Sequence, residues 1–77
     1  MKTYNKEKHF DLDYFRAKGM AFFDTLDFSE VDNDEIKAII ECGLPEVEFY
    51  QCTFKDLDLS RTIFKVNLKF MQCEFTK

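Results

Sequence analysis

The stretch Val47-Glu48-Phe49-Tyr50-Gln51-Cys52-Thr53-Phe54-Lys55-Asp56-Leu57-Asp58-Leu59-Ser60-Arg61-Thr62-Ile63-Phe64 decides how this chain is read. Phe49, Phe54, Leu59 and Phe64 recur every five residues, and two positions before each stand Val47, Cys52, Leu57 and Thr62, all small or branched. Five is neither the helical period of about 3.6 nor the strand period of about two. A helix would carry every fifth residue around its whole circumference and bury nothing consistently. A chain that buries the same two positions in each unit must turn as it extends, with one flat side per unit, which is the logic of a β-solenoid.

The units Cys52-Thr53-Phe54-Lys55-Asp56, Leu57-Asp58-Leu59-Ser60-Arg61 and Thr62-Ile63-Phe64-Lys65-Val66 resemble the pentapeptide-repeat family. Its members carry Leu or Phe at the centre of each repeat, a small residue two earlier and polar residues elsewhere. Leu68-Lys69-Phe70-Met71-Gln72 and Cys73-Glu74-Phe75-Thr76-Lys77 resume the pattern one residue out of phase, as if Asn67 were inserted. The resemblance covers residues 47–77, with a weaker echo in Ala21-Phe22-Phe23-Asp24-Thr25 and Leu26-Asp27-Phe28-Ser29-Glu30. It implies a right-handed, four-sided β-helix filled by Phe and Leu, in which four repeats make one coil. The expected fold class is therefore α+β: N-terminal helices followed by a short right-handed β-helix, pentapeptide-repeat-like. The alternative is helices packed on a twisted antiparallel β-hairpin, with 46–54 and 62–75 pairing through a turn near Asp58–Ser60. Phe64, Val66, Leu68 and Phe70 do alternate with Lys65, Asn67 and Lys69, as in a half-buried strand.

Upstream the pattern is helical. Leu12, Phe15, Gly19, Phe22 and Leu26 fall three and four apart, with Asp11 as a cap and Phe10 placed to staple against Phe15. Asp32 with Glu35 three residues on precedes the stripe Ile36, Ile39 and Ile40, and Gly43 and Pro45 forbid continuation. This predicts a helix over about 33–42. The expected organisation is one domain over 1–77: a frayed N-terminus over 1–9, a helical segment over 10–44 and a five-residue-repeat β segment over 46–77.

A chain of 77 residues has little surface to bury, and its compensation is aromatic, with ten Phe and three Tyr. The three cysteines, Cys42, Cys52 and Cys73, cannot all pair, and neither a leader nor an apolar span is visible, so a reducing cytoplasm is expected. Charge is segregated. Residues 24–48 hold nine acidic side chains against Lys37 alone, flanked on each side by a net +2. Such a block repels nucleic acid and attracts basic surfaces. Lys55, Arg61, Lys65 and Lys69 are therefore poor candidates for binding phosphate directly.

Chemistry finds no foothold in the pattern. The one histidine is His9, no Cys pair has zinc-ligand spacing, Asp32-Asn33-Asp34-Glu35 lacks the turn glycine of a calcium loop, and two glycines leave no phosphate cradle. No enzyme activity, metal or cofactor is expected. The expected role is a non-enzymatic protein-binding module. Its acidic residues Asp24, Asp27, Glu30, Asp32, Asp34, Glu35 and Glu41 would dock on a basic or nucleic-acid-binding surface of a target protein. Some pentapeptide-repeat proteins mimic duplex DNA and occupy the DNA site of a topoisomerase. The resemblance thus implies a small inhibitor of that sort, with a size that suits a phage or mobile-element gene. The alternative role is an assembly element that self-associates as a homodimer through the open end of its coil, at Phe70 and Phe75.

Overall fold

The structure is a computed structural model and describes residues 1–60 and 62–77. In chain order its elements are β1 (Lys2–Thr3), α1 (Lys6–His9), α2 (Leu12–Lys18), β2 (Ala21–Asp24), β3 (Leu26–Asp27), α3 (Asn33–Ile40), β4 (Glu46–Tyr50), β5 (Thr53–Lys55), β6 (Asn67–Met71) and β7 (Glu74–Thr76). The strands form two parallel sheets, one in the order β1-β3-β5-β7 and the other β2-β4-β6. Consecutive strands alternate between the sheets from β2 onward, so each strand is hydrogen-bonded to one from a distant part of the chain.

The expected order, helices followed by a right-handed β-helix over 46–77, is corrected by this strand map. The chain is a small α+β fold of two parallel sheets whose strands begin at Lys2 and include Ala21–Asp24 and Leu26–Asp27, inside the segment read as helical. The antiparallel hairpin is overturned as well, because every strand pair is parallel. Residues 1–9 are not frayed: β1 pairs with β3, and Asn5 Oδ1 caps α1 by accepting the Glu7 N–H at 2.9 Å.

Gly19 explains the main error. It stands at φ 77°, a left-handed conformation in which its N–H returns to Phe15 O at 2.8 Å, so it ends α2 instead of lying within it. The residues beyond, Phe22 and Leu26, then separate: Phe22 points outward from β2 and Leu26 is buried in β3. By contrast α3 forms where Asp32 and the isoleucine stripe place it, burying Ile36, Ile39 and Ile40. The phase slip also has a cause. Phe49 pairs with Phe70 and Phe54 with Phe75, each 21 residues apart, which is a multiple of five plus the extra residue at Asn67.

Inward side chains build two aromatic stacks that run across the strands. One is Phe23, Phe49 and Phe70, with centroids 5.2 and 5.1 Å apart and near-parallel rings. The other is Tyr4, Phe28, Phe54 and Phe75, spaced 4.6, 5.1 and 5.4 Å. Rings of the two stacks meet edge to face, for example Phe49 with Phe54 at 5.2 Å and 83°. This is the favourable geometry for aromatic quadrupoles. Parallel in-register strands repeat at about 4.7–4.9 Å, close to ring stacking distance, which is why one phenylalanine per strand suffices. Corners between the sheets are made by Thr25, Gln51 and Gln72, all at positive φ near 50°. Their side chains join in a polar ladder, Thr25 Oγ1 to Gln51 Oε1 at 3.4 Å and Gln51 Nε2 to Gln72 Oε1 at 3.0 Å.

Candidate interaction surface

The two ends of the stacks differ. At one end α2 lays Phe15 edge-on against Phe23 at 5.6 Å and Phe10 packs on Phe15 at 5.6 Å, so Phe23 is covered, while Tyr4, first in the other stack, is buried beside His9. At the other end β6 and β7 are the last strands of their sheets. Among the described residues each presents an edge without a strand partner, and the outermost rings, Phe70 and Phe75, have no further ring beyond them. Phe75 is 54% exposed and Met71 39%, whereas Phe49 and Phe54 are fully buried. Leu57, Leu59, Phe64 and Val66, from the segment between β5 and β6, are half-buried against the same core. An apolar face next to two free strand edges is a template for another β element. The sequence had marked Phe70 and Phe75, and the structure brings them edge to face at 5.4 Å. Met71, the residue after Phe70 in β6, is exposed on the opposite face of that strand.

The acidic residues come from several elements. Asp32, Asp34 and Glu35 meet at the start of α3, where Asp32 Oδ1 accepts the Asp34 N–H at 3.4 Å. Glu30 is exposed in the preceding turn, and Glu41 lies beyond the far end of the same helix. Asp24 closes β2 and accepts the Thr25 hydroxyl at 2.6 Å. Asp27 sits in β3 and accepts the Ser29 N–H at 2.8 Å; hydrogen bonds from Ser29 hold its carboxyl below the usual range. Capping and turn formation thus employ Asp24, Asp27 and Asp32. What distinguishes the segment is the lack of compensation: among the described residues the one ion pair is Lys69 with Glu46, at 3.7 Å. Arg61, one of the basic residues read along the repeats, lies outside the described residues.

His9, Cys52 and Cys73 each make structural hydrogen bonds. His9 Nδ1 accepts the Asn5 N–H at 2.9 Å, which commits the ring to α1. Cys52 is buried and its thiol donates to Phe23 O and Tyr50 O at 3.4 Å; burial pushes it up, away from thiolate. Cys73 makes the equivalent bond to Phe49 O at 3.3 Å. Among the described residues no three His, Cys, Asp or Glu side chains converge to hold a metal, and no helix is long and apolar enough to cross a membrane. No family model, curated protein or solved structure matches the chain.

Proposed function

We propose that this chain is a non-enzymatic protein-binding module that self-associates through its open end. The observation that carries this is the pairing, on one face, of two free parallel strand edges with the unstacked rings of Phe70 and Phe75. A second copy is the partner that answers both features at once. Two-fold docking sets β edge against β edge and ring against ring, and such isologous contacts are the commonest in homo-oligomers. Charge suits it too, since Glu74 and Lys77 flank Phe75 and can exchange partners across a two-fold axis. Sedimentation equilibrium from micromolar to millimolar protein should give a monomer–dimer equilibrium, weakened in Phe75→Lys. Circular dichroism should show that Phe75→Lys keeps its fold. A strict monomer throughout that range would overturn the proposal.

A second reading is that the acidic residues around α3 dock on a basic protein surface, as an inhibitor of a nucleic-acid-binding enzyme. The uncompensated charge of Glu30, Asp34 and Glu35 favours it. Inhibition of DNA relaxation by a topoisomerase should then fall steeply with added salt and vanish in the Glu30→Lys/Asp34→Lys variant. Inhibition that is indifferent to salt, or none at all, rules this reading out.

A further inference from the structure

A crevice of about 230 Å³ opens between α1–α2 and α3. Its walls are apolar: Phe10 and Leu12 on one side, Ile39 and Cys42 on the other, with Tyr4 at the back. Two opposite charges also line it, Lys6 from α1 and Glu35 from the first turn of α3. They do not pair with each other, since the one ion pair among the described residues lies elsewhere. Opposite charges held apart over an apolar slot would gain by closing on one another or on a ligand that bridges them. The back wall offers no competing ion: the Tyr4 hydroxyl is buried, has no hydrogen-bond partner, and stays neutral because burial and the Glu35 charge push it up to about 12.

We infer that this crevice binds a free apolar α-amino acid, with its carboxylate on Lys6, its ammonium on Glu35 and a leucine- or phenylalanine-type side chain between Phe10, Leu12 and Ile39. The charge order selects a zwitterion: a fatty carboxylate would meet Glu35, and an alkylamine would meet Lys6, each with one like-charge contact. Size selects a small ligand, since the volume falls below the range of about 300–1,000 Å³ typical of drug-sized sites. The Cys42 thiol lines the slot as a soft apolar wall and needs no reaction to do so. This site is independent of self-association, because none of its residues belongs to β6 or β7.

The test is an amide chemical-shift titration of the full chain with L-leucine, L-phenylalanine, glycine, 4-methylpentanoate and 3-methylbutylamine. Leucine and phenylalanine should shift the Ile39 and Cys42 amides saturably, while the other three probes shift them only weakly. Lys6→Met and Glu35→Gln should each weaken leucine binding by about tenfold, the loss of one charge-assisted contact. Ala38→Phe, at an exposed helix position lining the slot, should fill it and abolish binding while the chain stays folded. The inference is overturned if leucine leaves these amides unmoved, if the carboxylate or the amine binds as tightly as leucine, or if Ala38→Phe binds unchanged.

Discussion

Replacing Phe49 and Phe75 by alanine, one at a time, weighs the two ends of the aromatic stacks against each other. Phe49 is fully buried and touches four rings, Phe23, Phe28, Phe54 and Phe70, at centroid distances of 5.1 to 5.4 Å. Truncating such a residue removes its burial and leaves a cavity that stacked strands cannot close, at a cost of about 3–5 kcal/mol. Phe75 has two ring neighbours and keeps 54% of its surface in water. With roughly half of a side chain worth about 1.5–3 kcal/mol buried, Phe75→Ala should cost about 1 kcal/mol. The whole domain is held by roughly 4–12 kcal/mol at its length, so Phe49→Ala should remove a quarter of that margin or more and Phe75→Ala a quarter at most. Urea unfolding followed by circular dichroism, at a concentration where the chain is monomeric, reads both values. Equal costs in dilute protein would refute the reasoning, because they would mean that the outermost ring is as enclosed as the central one. At high concentration the proposed self-association would bury Phe75 and leave Phe49 as it was, so the gap should narrow.

Gly19→Ala should cost about 1 kcal/mol in the same assay, wholly through its φ of 77°, because a Cβ there meets nothing within 4 Å; Gly19→Asn should recover part of the loss. Asp58 accepts the Ser60 N–H at 2.9 Å and hydroxyl at 2.6 Å, which hold its carboxyl below 3.8. Its folded pKa is depressed, so the associated stability is present above the unfolded value and is lost as pH falls through the folded one. Ser60→Ala should raise the Asp58 carboxyl towards its ordinary range in a carbon-13 NMR titration. Tyr4 runs the opposite way: its hydroxyl rises from 10.0 to about 12, so stability is complete below pH 10 and drains away as pH climbs through 12. Tyr4→Phe should abolish that alkaline loss, and at neutral pH it should be neutral or slightly stabilising because the buried hydroxyl has no partner.

The element α3 was legible because its signals are local: a cap at Asp32, an isoleucine stripe, and Gly43 with Pro45 beyond. The interior phenylalanines were legible for a related reason, since Phe49, Phe54, Phe70 and Phe75 declare themselves by spacing. Strands β1, β2 and β3 were missed because they are short and gain their identity only from partners far along the chain. Ala21–Asp24 pairs with residues 26 positions later, and only the five-residue spacing of Phe23 from Phe28 hints at it. The helical stripe that ran through Gly19 was a coincidence of spacing, undone by one residue with access to left-handed φ. Phe23 and Phe28 carried the correct signal in that region, five residues apart like those of the later strands. As for sites, Phe70 and Phe75 could be named in advance as the end of a series, but the crevice of Lys6 and Glu35 joins residues 29 apart and exists only in three dimensions.

The seal that α2 places over Phe23 would limit the size of the proposed assembly. Strand edges exposed at both ends would let each added molecule offer a fresh site, and growth would run on into a fibre. Here Phe15 and Phe10 cover Phe23 beside β2, and the other first strand, β1, offers an edge of only two residues. Self-association through β6 and β7, as proposed, would therefore stop at two. Solutions of this chain should accordingly show no lag time, no seeding by preformed material and no rise in viscosity with age, and opening the α2 lid would be the lesion that turns a finite pair into a polymer.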